Sequence, residues 1–245
     1  MKTHRLIFFA LLFLSAAQGQ AQMPTASQAG LNAAMLKLFG STTAFSSKLH
    51  VSMLDKAAKE TMSMTMNFAL LDRKIRLEVD VNQIKSKELT PATIAPLKQM
   101  GMDKMVSIIR PDKKATLVIC PSAQAYAEMP MSAEEAADWE KTYKVQKNPL
   151  AKETVEGHSC EKKKAVVSDD KGPKLEALVW DAADLKDLPI QMQINQAEAA
   201  ALMRFREIQL ARPDAKQFEA PAGFTKYDSM EKLMQGVTMK MLGGK

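Results

Sequence analysis

The sequence predicts an α+β fold, a curved antiparallel sheet with helices packed on it. Two observations carry this. In three successive runs between Ala44 and Val81, apolar residues take every second position and polar residues the positions between. Strands apolar on one face only belong to antiparallel sheets. The alternation also holds for about nine residues in each run, against about five or six in an ordinary strand. Strands that long in a chain of this size imply a twisted, curved sheet.

The elements follow in chain order. "MKTHR" is a short basic segment, "LIFFALLFL" (6–14) an apolar run, and "SAAQGQAQ" supplies small residues after it. This is the pattern of a secretory signal peptide, too short for a permanent membrane helix. Cleavage fits after Ala17, Gly19 or Ala21, the last two best. The expected organisation is therefore a signal peptide at 1–21 and a single domain at 22–245 ending in an amphipathic helix, in a periplasmic or secreted protein. "ASQAGLNAAMLKLFG" reads as a first helix, with Leu31, Met35, Leu38 and Phe39 on one face and Gly40 as its stop.

Strands then follow at "AFSSKLHVSML", "TMSMTMNFAL" and "KIRLEVDVN", with the turn "LDRK" between the second and third. "TPATIAPLKQMG" is a helix with Thr90 as N-cap and Pro91 in its first turn, which Pro96 should break or kink. "KMVSIIR", "ATLVIC" and "AYAEM" are strands. Ser132 and Glu135 form a capping box that opens the helix "SAEEAADWEKTY". Five more strands run from "KVQKNPLAKETV" to "ALMRFREIQL". "ARPDAKQFEAPAGFTKYDS" is irregular, with Phe218 and Phe224 as expected anchors. The chain closes on a helix striped by Met230, Leu233, Met234, Val237 and Met241.

Composition bounds the function. An apolar content of 46% is enough for a core. The net charge of +6 and pI near 9.2 would suit an anionic partner such as a membrane surface. The Lys and Arg residues are scattered, however, with no arginine tract among aromatics, which argues against nucleic acid.

The stretches "MTMNFALLDRKIRLEVDV", "IIRPDKK", "AYAEMP", "KETVEGHSCEKKKAVVSDDKG", "DLKDLPIQMQI" and "FEAPAGFTKYDSMEKLM" resemble a bacterial family of exported proteins of unknown function. That family is similar to the LolA/LolB/LppX class of periplasmic lipid and lipoprotein carriers. The resemblance covers nearly all of the mature chain. It implies an open half-barrel whose concave face is covered by helices, over a cavity that in that class holds acyl chains. The family has no assigned catalytic residues, so none carry over.

The methionines pose the main choice of site. Met62, Met64 and Met66 share one strand face, a spacing that suits a soft metal such as Cu(I). "MGM" (100–102), "MPM" (129–131) and "MKM" (239–241) repeat it. The same face continues through Phe68 and Leu70, which no metal needs. Unbranched, polarizable methionine also repacks around varied shapes. The favoured reading is a cavity lined by Leu49, Val51, Met53, Met62, Met64, Met66, Phe68, Leu77 and Val79, holding a lipid or lipoprotein acyl chain, with no cofactor and no enzymatic activity. Periplasmic copper binding and a purely structural envelope role are the alternatives.

Two cysteines, Cys120 and Cys160, are expected to pair if the chain is exported. Closing that loop of about 40 residues would stabilise the fold by roughly 4 kcal/mol on a chain-entropy model. Two buried free thiols are the alternative. His158 beside Cys160 looks like a Cys–His pair, but a tight turn offers no pocket for catalysis. "EKKKA" (161–165) reads as a lysine-guarded edge strand, with contact to anionic head groups as the rival.

Overall fold

The computed structural model describes residues 28–86, 89–195 and 199–243. The expected signal peptide lies outside them. Twelve strands form one open sheet: β1 (Ala44–Asp55), β2 (Glu60–Leu71), β3 (Lys74–Ser86), β4 (Lys104–Arg110), β5 (Ala115–Cys120), β6 (Ala125–Pro130), β7 (Lys144–Val155), β8 (His158–Asp169), β9 (Gly172–Ala182), β10 (Leu188–Asn195), β11 (Ala199–Gln209) and β12 (Thr225–Tyr227). Their order is β12, β6, β5, β4, β3, β2, β1, β11, β10, β9, β8, β7. The helices are α1 (Gln28–Lys37), α2 (Pro91–Gln99), α3 (Ala133–Glu140) and α4 (Met230–Gly243). This is the α+β class with the large, mainly antiparallel sheet that the alternation predicts; the short β12 pairs in parallel with β6.

By packing, the described residues fall into two compact units. One takes those up to Thr43, Val51–Glu60 and Ser132–Arg206; the other takes Ala44–His50, Thr61–Met131 and those from Glu207 on. Each unit draws on three separate stretches of chain, so no linker in the sequence marks their boundary.

In the first unit, the ladder puts Ala165 opposite Ala177, Val167 opposite Leu175 and Val179 opposite Met192. All six are buried and share a face. Helix α1 packs on β8 and β9 and against α3. It does so through Ala29, Ala33 and Ala34, whereas Leu31 and Met35 of the expected stripe are half-buried. Alanine lets a helix approach closely, which a pattern of large residues does not reveal. Leu38 and Phe39 are buried as expected, Phe39 meeting the Phe205 ring edge-on at 5.6 Å. Gly40, at φ +62, turns the chain out of the helix. Asp181, almost fully buried, accepts from Lys147 Nζ at 2.9 Å and pairs with Lys163 at 3.2 Å. The same Lys147 donates to the Leu38 carbonyl at 3.1 Å, which ties the end of the α1 segment to the sheet.

The 161–165 stretch is not at an edge: β8 pairs with β7 on one side and β9 on the other. Its lysines are ion-paired, Lys162 with Glu153 and Lys164 with Glu176. The outer strand is β7, which carries its own protection in Lys144, Lys152 and a register irregularity at Pro149. Helix α2 also departs from expectation. It runs through Pro96 to Gln99, because a helix this short has few interior bonds for the missing N–H to break.

In the second unit both faces of the sheet are buried near the β2–β3 turn. One face clusters Ala69, Leu71, Val106, Ile108, Leu117 and Ile119 around Phe218, which is fully buried, with Phe224 packed on the cluster. The two phenylalanines anchor the irregular segment, as its sequence suggests. Leu233 and Val237 of α4 are buried, while Met239 is 73% exposed.

Candidate functional site

The other face of the second unit carries most of the residues expected to line a cavity. Along β2, Met62, Met64, Met66 and Phe68 project to the same side. The ladder sets Met66 opposite Val79 and Phe68 opposite Leu77. Phe45 of β1 places its ring 5.2 Å from that of Phe68, and alternation then puts Ser47 and Leu49 on this side too. Met64 is 1% exposed and Met66 5%; Leu49, Phe68 and Val79 are buried, and Met62 and Leu77 half-buried. The structure thus brings seven of the nine expected lining residues onto one face. Val51 and Met53 belong to the other compact unit, where Val51 is buried and Met53 half-buried.

The face continues across the sheet, Ile75 opposite Ile109, Val79 opposite Met105 and Val118 opposite Ala127. Within the second unit its polar strand positions from β1 to β5 include Ser47, Ser86 (opposite Met62), Ser107 and Thr116, and none of these is charged. The reverse side is polar away from the Phe218 cluster. There His50 Nδ1 lies 3.0 Å from Thr65 Oγ1, and Arg76 donates to Glu78 at 2.8 Å.

For a metal, three thioethers must converge on one point. Met64 and Met66 are both buried on a face that they share with Phe68, Leu77 and Val79. The other Met-x-Met pairs differ widely, with Met102 fully buried and Met239 open to solvent. Among the described residues no group of three or more His, Cys, Asp or Glu could hold a metal ion.

Cys120 and Cys160, expected to pair, are each a buried free thiol in the structure, one in each compact unit. Cys160 Sγ donates to the His158 carbonyl at 3.5 Å. Burial pushes the Cys160 thiol up, and that of Cys120 to about 11. Neither is therefore a ready thiolate at neutral pH. His158 does have a partner the sequence did not suggest: its Nδ1 lies 2.6 Å from Asp184 Oδ2. The pair orients the imidazole, but the thiol beside it is bonded to a backbone oxygen.

Sequence reasoning also missed Arg110. Its guanidinium is buried, donating from Nη1 to the Phe218 carbonyl at 2.7 Å and from Nε and Nη2 to both oxygens of Asp112 at 2.9 and 2.8 Å. Glu219 approaches the same Nη1 at 2.7 Å. The Arg110 hydrogen bonds hold Asp112 below the usual carboxylate range, and Lys113 followed by Arg110 does the same for Glu219. The signal was present as a lone arginine ending the apolar run "KMVSIIR", with Asp112 two residues on, but its partners Phe218 and Glu219 lie over a hundred residues away.

No protein-family model matches the chain, and no curated protein matches it in sequence. Solved structures do. A first likeness is to a lipoprotein: LppX of Mycobacterium tuberculosis aligns at 12% identity and a TM-score of 0.37, over 74% of this chain and 96% of that one. The second is to the LolA superfamily. A member from Nitrosomonas europaea aligns at 10% identity and TM-score 0.36, over 80% of this chain and 98% of that one. A putative outer membrane lipoprotein-sorting protein domain from Vibrio parahaemolyticus aligns at 10% and 0.37, over 78% and 96%. These are the proteins that the sequence resemblance points to.

Proposed function

We propose that this chain binds and carries an apolar ligand, a lipid or lipoprotein acyl chain, in the cell envelope and without chemical conversion. One observation supports the reading above others. The face formed by Leu49, Met64, Met66, Phe68, Leu77 and Val79 is apolar and uncharged, and two of its six side chains are methionines, which repack easily. Removing an acyl chain from water is worth about 0.8 kcal/mol per CH₂, so such a face needs few polar contacts to hold it. Export, read from residues 1–21, would place the protein where such cargo moves, and its net positive charge would favour anionic membrane surfaces. The methionine spacing keeps soft-metal binding as the second reading.

Native mass spectrometry of protein purified from its own envelope separates the two. A co-purifying species of lipid mass, released by organic solvent, is the expected result. A bound copper ion with no lipid would replace this reading by the second.

A further inference from the structure

Ser47 is 7% exposed, and its Oγ has no hydrogen-bond partner. It lies on β1 between Phe45 and Leu49, on the face shared with Phe68. Leaving a buried hydroxyl unbonded is unfavourable, and alanine would fill the position without that cost. A hydroxyl kept unbonded in an apolar face has a ready use if a ligand completes it.

Resting on the carrier reading above, we propose that Ser47 Oγ donates a hydrogen bond to a neutral carbonyl oxygen of the bound lipid, selecting acyl esters over free fatty acids. The charge distribution decides between the two. Within the second unit the β1–β5 strand positions sharing this face carry no cation, and their polar members include Ser47, Ser86, Ser107 and Thr116. An ionised carboxylate brought to Ser47 would be buried without a counter-charge, which is costly. An ester carbonyl needs one donor, and the serine hydroxyl supplies it. The alkyl portion then rests on Met64, Met66 and Phe68.

Three fluorescent probes test this at pH 8: cis-parinaric acid methyl ester, ionised cis-parinarate, and diphenylhexatriene, which has no polar group. The full mature chain is expected to bind the methyl ester at least about fivefold more tightly than the carboxylate. Ser47→Ala should weaken the ester roughly fivefold to tenfold, the worth of one neutral hydrogen bond, and leave diphenylhexatriene unchanged. Its thermal midpoint should equal or exceed that of the wild type, since an unbonded hydroxyl has been removed. Ester affinity unchanged by Ser47→Ala, or an equal loss for all three probes, overturns the assignment while the carrier reading stands. Failure of the wild type to bind any of the three overturns both.

Discussion

At Arg110 a buried charge does what an apolar side chain could not: it bonds the Phe218 carbonyl and holds Asp112 and Glu219 around one guanidinium. Arg110→Ala would strand these groups. Full burial of such a pair puts the loss at 3–5 kcal/mol; both carboxylates here are about half exposed, so about 2–3 kcal/mol is expected in urea unfolding. A change below about 0.5 kcal/mol would show that the clamp does not hold the 211–224 segment. The thiols make a second prediction. Cys120 titrates near 11 in the fold against an ordinary 9.0, so its contribution to stability is complete below about pH 9 and disappears as pH rises through about 11. Cys120→Ala should flatten that alkaline decline, and an unaltered slope would rule the thiol out as its source. Alkylation without reductant should label neither thiol rapidly in native protein at neutral pH and both after denaturation. A mass two protons lower, with no labelling until reductant is added, would mean a disulfide instead.

Elements whose signal is local were legible in the sequence. β2 and β3 announce themselves by strict alternation, and the capping box of α3 forms as spelled: Glu135 N–H donates to Ser132 Oγ at 3.1 Å, and Glu135 Oε2 accepts from Ser132 N–H at 2.7 Å. β12 was not legible, since three residues carry no period and its ladder is with β6, about a hundred positions earlier. The position of β7 at the sheet edge was hidden for the same reason, because pairing order is non-local. Helix α4 shows both sides of this. Its apolar stripe was visible, and Leu233 and Val237 are indeed buried. The docking contact was not: Gly236 passes against Tyr227 so closely that a Cβ would run into the phenol ring and hydroxyl. Gly236→Ala should therefore cost about 1–3 kcal/mol in spite of alanine's better helix propensity. Adding Tyr227→Ala should recover part of that loss in a double-mutant cycle. Purely additive effects would mean that α4 does not dock through this crossing.

For the molecule as a whole, strand content, open sheet and apolar face could be read from the chain because each repeats over many residues. Several features depend on pieces that meet only after folding. They include the division into two compact units, the alanine face of α1, the His158–Asp184 pair and the unbonded Ser47. The claim that joins both kinds of feature is that the methionine face holds an acyl chain. Titration of the protein with a fluorescent fatty-acyl ester, alone and as Met64→Ser and Thr65→Ser variants, with Cu(I) affinity measured in parallel, tests it most directly. Carriage predicts saturable uptake that falls several-fold in Met64→Ser, is unchanged in Thr65→Ser on the opposite face, and does not follow copper. Probe uptake indifferent to both substitutions, with Cu(I) affinity collapsing in Met64→Ser, would contradict it.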